Sequence, residues 1–382
     1  MQPSSILDIY FVGLFDFAHV VFLCPSTYHS RFAMKFTNRI AVSGWATSSV
    51  LKDTLVPVVA RVLQNTNKAD VLSVIKKAFL SVDQDIMDKA AAFLDNKPNS
   101  LTEGVSAVAP AIAGSCALLA MFDPKESILR VANVGDSRAV LGRYDESTGK
   151  YVTIKLSEDQ TGFNEKEVAR IKAEHPGEDQ ILDPKSGRLL GLAVTRAFGD
   201  HRWKWSVDQI TKAKTKYRGS SVRPLTKTPP YMSAEPEITE TQIQRGARGD
   251  FVIMASDGLW VGAAAQSVTV RVTDFSKDYI SSEDAVECVV RWLNTPAHQR
   301  NTKNSPEDGA KSSEWDGNSL VWTATPDYFV VENDNAASHL VKNAFGGSRR
   351  DLFRAVMSNY PPVSRNVRDD ITIQVIFFGD KV

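Results

Sequence analysis

The sequence predicts an α+β fold in which antiparallel sheets are covered by helices. Three observations carry this. Apolar residues recur at helical spacing in paired segments, both early and late in the chain. Strand-like runs fall in clusters at hairpin spacing, two of them separated only by Gly135-Asp136-Ser137. Strands and helices also fail to alternate one for one, as a parallel doubly wound sheet would require.

The elements follow in order. Leu51, Leu55, Val58, Val59, Val62 and Leu63 predict a first helix, kinked at Pro57. Leu72, Ile75, Phe79, Val82 and Ile86 predict a second. Strands are expected at Ser127–Val134, Ala139–Tyr144 and Tyr151–Leu156, then a helix over Asn164–Glu174. A buried strand at Asp250–Ala255 precedes helices at Ala285–Leu293 and Ala336–Phe345, and Ile371–Phe378 closes the chain as a strand. Residues 297–318 are polar and read as a loop insertion. No internal repeat is visible.

Composition excludes several classes. With 45 Lys+Arg against 45 Asp+Glu, the 382-residue chain has no excess of cations with which to neutralise a nucleic-acid backbone. Hydrophobic residues at 43% and charged residues at 24% are globular usage, which excludes a disordered or fibrous chain. Cys24, Cys116 and Cys288 are too few and too widely spaced for a disulfide framework, and suit a reducing compartment. Residues 6–24 are apolar, but Asp8, Asp16 and His19 interrupt them, so no membrane insertion is expected. Neither a signal peptide nor a presequence is visible in the chain as written.

The chemistry is expected at carboxylates on strand-to-turn junctions: Gly135-Asp136-Ser137, Ser256-Asp257-Gly258 and Arg368-Asp369-Asp370. Each ends an apolar run that can aim a side chain rigidly. Converging carboxylates without His or Cys suit hard, oxygen-loving cations, Mg²⁺ or Mn²⁺. The alternative is that each Asp caps its own turn.

Seven ordered stretches carry a resemblance: Gly114–Ala117, Val131–Leu141, Leu156–Gln160, Thr195–Asp200, Ala234–Ile238, Ala255–Trp260 and Arg368–Thr372. On these the chain resembles the metal-dependent serine/threonine protein phosphatases of the protein phosphatase 2C (PPM) type. Glu174-His175-Pro176, Gly187–Gly191, Lys204-Trp205-Ser206, Thr228–Tyr231 and Asn335–Leu340 resemble its mitochondrial pyruvate dehydrogenase phosphatase branch. The resemblance implies a four-layer αββα sandwich of two antiparallel sheets flanked by helices. It implies a site for two Mn²⁺ or Mg²⁺ ions that activate a water for in-line attack on phosphorus. Asp257 and Asp369 would be metal ligands, with Asp136 serving an outer metal or its water. Asp200 and Asp370 would orient neighbours, and His201 is expected to face solvent. The implied partner is a phosphoprotein, pyruvate dehydrogenase E1 for the branch. The implied compartment is the mitochondrial matrix, with the cytoplasm the alternative on the chain as written.

The N-terminal part departs from the family pattern. Phe11–Asp16 resembles the strand that leads into a Phe-Asp-Gly-His-type motif, which would make Asp16 the bridging ligand, but Phe17 follows where Gly is expected. Residues 17–42 then intervene before Ser43-Gly44-Trp45. Residues 1–42 therefore read as an atypical segment, a translated intron or mis-joined gene model after Asp16. Residues 43–382 read as one phosphatase domain lacking its first strands, with an exposed sheet edge. Val261 stands where the family has an acidic residue. The second functional reading is a catalytically impaired pseudophosphatase with a binding or regulatory role.

Overall fold

The computed structural model describes residues 8–14, 19–23, 45–64, 70–95, 100–260, 279–300, 314–315, 320–360, 364, 367–369 and 371–379. Strands β1 (Asp8–Leu14) and β2 (His19–Leu23) precede helices α1 (Ala46–Gln64), α2 (Val71–Asp95) and α3 (Leu101–Ile112). Next come β3 (Gly114–Ser115), β4 (Ala117–Asp123), β5 (Ile128–Val134), β6 (Arg138–Asp145) and β7 (Lys150–Lys155). Helix α4 (Glu165–Glu174), β8 (Leu182–Asp183), β9 (Arg188–Leu189), β10 (Phe198–Gly199), α5 (His201–Lys204) and α6 (Val207–Tyr217) form the middle. Then follow β11 (Glu237–Gln242), β12 (Phe251–Ala255), α7 (Asp257–Trp260) and α8 (Ser282–Asn294). Strands β13 (Glu314–Trp315) and β14 (Leu320–Val321), helices α9 (Ala336–Ala344) and α10 (Arg350–Ser358), and β15 (Ile371–Phe377) complete the order.

Two sheets dominate, ordered β1-β15-β12-β6-β7 and β11-β5-β4-β2. The period of two along each strand divides its side chains between layers. In β4, Leu118, Ala120 and Phe122 face the second sheet, where they meet Leu141, Val252, Met254 and Ile376. The alternate residues Ala117, Leu119 and Met121 pack under Leu55, Phe79, Ile86 and Ile210 of the helices. Phe251, Ile253, Val375 and Phe377 point the other way, against Val289 and Trp292 of α8 and Leu340 of α9. Helices, sheet, sheet and helices are thus stacked as the αββα sandwich expected. Burial on both faces explains why β12 is wholly apolar, and each such side chain contributes about 1.5–3 kcal/mol.

Two findings modify the sequence reading. The sheets are antiparallel except for β2, which pairs parallel to β4, Val20 opposite Leu118. The edges expected to lie open are occupied, because β1 pairs antiparallel with β15 and β2 lies along β4. Strand β2 falls inside the 17–42 stretch; residues 17–18 and 24–42 lie outside the described residues. Pro57 lies inside α1, which runs on past it to Gln64. Helices α3, α6 and α10 and strands β4 and β11 have no counterpart among the predicted elements. No helix among the described residues is long and apolar enough to cross a membrane.

Candidate active site

Strand register brings the motif carboxylates to one end of the sandwich. Ala255, at the end of β12, pairs with Ile373 of β15 on one side and Arg138 of β6 on the other. Asp257 follows Ala255, Asp369 shortly precedes β15, and Asp136 lies in the turn just before β6. All three therefore leave the sheets at the same end. Ser256 closes the junction: its N–H donates to Thr372 O at 3.0 Å, and its hydroxyl accepts from Thr372 N–H at 3.0 Å. Leu14, the last residue of β1, pairs with Ile371 at this same end. Asp16, Asp370 and Val261 lie outside the described residues.

The turn that presents Asp136 is tightly built. Gly135 adopts φ +113°, and a Cβ there would lie 2.3 Å from Cys116 Sγ. Its N–H donates to Gln160 Oε1 at 2.7 Å, and its carbonyl accepts from Gln160 N–H at 3.0 Å. Asn133 Nδ2 donates to Gly135 O and to Glu158 O, both at 3.1 Å. Cys116 Sγ lies 3.6 Å from Asp136 Oδ1, which a thiol can approach as a weak donor. Arg138 grips Asp159 through Nε–Oδ1 at 3.1 Å and Nη2–Oδ2 at 2.7 Å, with its guanidinium 5.2 Å from the Trp260 ring centre.

The carboxylates feel one another. Burial, then the charges of Asp159 and Asp369, push the Asp136 carboxyl up to about 6. Burial, then the charges of Asp136 and Asp369, hold Asp257 well above the ordinary carboxylate range. Gly258 N–H donates to Asp257 Oδ1 at 3.0 Å, so Asp257 also caps its own turn, as the alternative reading held. The two roles are compatible, since a carboxylate has about four lone-pair positions. Like charges gathered in an enclosed space are what a divalent cation relieves, and an all-oxygen donor set fits Mn²⁺ or Mg²⁺. Among the described residues, no three His, Cys, Asp or Glu side chains already surround one metal-sized point.

A second layer of polar structure supports this end. Glu167, fully buried, receives Arg196 Nε at 2.9 Å, Arg170 Nη2 at 2.9 Å and Thr195 Oγ1 at 2.6 Å. Its carboxyl sits at about 2, because these donors outweigh its burial. Arg196 Nη1 also donates to Glu235 O at 2.7 Å. Asp200 adopts φ +56°, and burial raises its carboxyl to about 7. His201 corrects the sequence reading: it is 1% exposed rather than solvent-facing, because it packs edge-on to Trp205, 5.4 Å between ring centres. Burial lowers its imidazole to about 4. Cys116 and Cys288 are free and buried, as the expected absence of a disulfide framework allows; Cys24 lies outside the described residues. Arg138, Asp159 and Gln160 had no assigned role at the sequence level, although all three stand in the quoted motifs.

Several known proteins are similar to this chain. The family model described as protein phosphatase 2C matches residues 37–302. A protein phosphatase 2C homolog of Schizosaccharomyces pombe is 38% identical, over 89% of this chain and 72% of its own length. The mitochondrial pyruvate dehydrogenase (acetyl-transferring) phosphatase 1 of Saccharomyces cerevisiae is 34% identical over 81% of this chain, and its human counterpart 31% over 82%. The chain spans about half the length of those two, 53% and 56%. The crystal structure of serine-threonine phosphatase 2C from Toxoplasma gondii superposes with a TM-score of 0.45 at 16% identity, covering 88% of this chain and 82% of that one. The class is that of a serine/threonine protein phosphatase. The chain belongs to the protein phosphatase 2C family.

Proposed function

We propose that this chain hydrolyses phosphoserine and phosphothreonine in a phosphoprotein, using two Mn²⁺ or Mg²⁺ ions held by Asp136, Asp257, Asp369 and Asp16. The observation that supports it best is the delivery of Asp136, Asp257 and Asp369 to one end of the central strands, where the Asp369 charge makes both Asp136 and Asp257 harder to ionise and Asp136 does the same to Asp257. Bound ions supply Lewis-acid chemistry, neutralising phosphoryl charge and activating water. The chain's own part is positioning. The Gln160 clasp on Gly135 fixes the Asp136 turn, and the Ser256–Thr372 exchange fixes the spacing of Asp257 and Asp369. Arg138 neutralises Asp159 and so limits repulsion on Asp136.

Asp257→Asn or Asp369→Asn should cut Mn²⁺-stimulated turnover at least about a hundredfold while the far-ultraviolet circular dichroism stays native. Near-normal turnover in both variants would sink the ligand assignment. The names of the relatives support a pyruvate dehydrogenase-like substrate, E1 in particular, and a mitochondrial setting. Phosphate release from phosphorylated pyruvate dehydrogenase E1, compared with an unrelated phosphopeptide, tests the first, and localisation of the tagged chain tests the second. We further propose that the chain after Asp16 carries a translated intron or a mis-joined gene model, which sequencing of the transcript across codons 10–50 tests directly.

A further inference from the structure

Two half-buried arginines beside Asp200 each hold a buried Nε without an acceptor. Arg202 and Arg223 lie over the ring of Trp203, 5.6 and 5.1 Å from its centre. That ring is fixed: Trp203 is 2% exposed, and its indole N–H donates to Leu189 O at 2.8 Å. Attraction to the ring face accounts for the placement of the cations but occupies none of their donors. The Nε of Arg202 and the Nε of Arg223 are each buried without a hydrogen-bond partner. Three other enclosed guanidiniums are paired with carboxylates: Arg138 with Asp159, Arg143 with Asp250, Arg196 with Glu167.

A third cation stands close by. Arg188 Nη1 donates to Gly191 O at 3.3 Å, while a Cβ on Gly191 would lie 3.1 Å from Arg223 Nη1. Burial opposes the Arg202 and Arg223 charges, and the two are close enough for Arg223 to disfavour the Arg202 cation and Arg188 the Arg223 cation. The carboxylate that answers both is Asp200, and it is turned against Gly114, whose added Cβ would lie 1.9 Å from Asp200 Oδ2. Asp200 thus faces both Arg202 and Arg223, and Lys204 as well. Like charges held together with idle donors define a place for an anion.

We propose that Arg202 and Arg223, seated on Trp203 and backed by Arg188, bind a phosphate monoester or inorganic phosphate dianion. Guanidinium forks match phosphate oxygens bidentately, and partial exclusion of water strengthens such bonds. The position favours phosphate over other anions in this family setting. Gly199 pairs with Gly114, Cys116 follows two residues later, and Cys116 Sγ approaches Asp136. An anion on Arg202 and Arg223 would therefore flank the carboxylate end of the sandwich. Its source is either a phosphate carried by the substrate peptide or the phosphate released by hydrolysis. This deepens the proposed function and rests on it only for that source.

The test is calorimetric titration of inorganic phosphate into the full chain with chelator present, which keeps any metal-held phosphate from contributing. The wild type should bind, and Arg202→Met or Arg223→Met should weaken binding at least about tenfold. Arg202→Lys, which keeps the charge and loses the fork, should be intermediate, and it remains informative if a Met variant does not fold. No binding at millimolar phosphate, or equal affinity in wild type and both Met variants, overturns the site. A phosphoserine peptide that displaces phosphate, where its unphosphorylated twin does not, identifies a peptide-borne ligand; failure of both to displace it identifies free phosphate. Asp257→Asn separates the two proposals, because it reads Mn²⁺-dependent turnover and should leave phosphate affinity under chelation unchanged.

Discussion

Individual residues at the carboxylate end are placed by burial as much as by motif. His201 shows this most clearly. With no partner predicted for it, its side chain is expected to face solvent, yet its Nδ1 lies 3.4 Å from Ile112 O and its ring is enclosed. The imidazole titrates at about 4 in the fold, against an ordinary value near 6.5. The sign follows directly. A histidine whose value is lowered by folding contributes stability that is full above about pH 6.5 and is lost as pH falls through about 4. The raised carboxyls of Asp136 and Asp200 act in the opposite sense over the same range, so the expected outcome is a difference: on acidification the wild type should lose more melting temperature, or gain less, than His201→Gln, as measured by thermal denaturation at pH 7, 5.5 and 4.5. An identical pH profile in the variant would show that His201 is not an acid-sensitive group. His339, likewise buried and lowered to about 4, contributes in the same sense as His201.

At the scale of elements, the β5–β6 turn is where local backbone and site meet. Gly135 holds a left-handed conformation against Cys116, so Gly135→Ala must both strain φ and displace the thiol. A cost of about 1–3 kcal/mol is expected, with turnover falling because Asp136 moves with the turn. Gly149, in the β6–β7 turn with φ +68°, is the control. A Cβ there meets nothing nearer than Tyr144 Oη at 3.7 Å, so Gly149→Ala should carry the backbone strain alone and spare activity. Chemical denaturation and initial rates on the two variants distinguish clash at the site from strain in general. Equal rates in both would detach the turn from catalysis.

For the whole molecule, stability and chemistry reside in different places. Three apolar layers, one between the sheets and one under each set of helices, hold the sandwich. The carboxylates cluster at its end. Removing divalent ions with chelator should therefore abolish turnover and leave near-ultraviolet circular dichroism largely unchanged, and Mn²⁺ should restore the rate. Loss of tertiary signal on chelation would make the ions structural instead. The sheets also depend on the first strands: β1 and β2 cover the edges of β15 and β4. Deleting residues 1–23 should expose both ladders and drive the protein into aggregates, seen by size-exclusion chromatography. A monomeric, stable deletion product would show the edges to be tolerated.

The sequence by itself determined much of this. Hairpin-spaced strand runs and 3.6-residue periodicity located β5, β6 and β7 and helices α1, α2, α4, α8 and α9, and continuous apolar runs located β12 and β15, which are buried on both faces. Ordered motifs around Asp136, Asp257 and Asp369 identified the family, because turns that present carboxylates need Gly, Ser and Asp at fixed offsets. Tertiary structure alone decided the rest. Strands β4 and β11 and helix α3 declare themselves only through their neighbours: Leu118 and Leu119 are both buried because sheet and helices cover β4 from either side. The parallel docking of β2, the enclosure of His201 and the gathering of Arg188, Arg202 and Arg223 around Trp203 and Gly191 depend on residues far apart along the chain or on packing that no period encodes. Which charges lie close together, and which lack a counterion, is fixed only when the chain has folded.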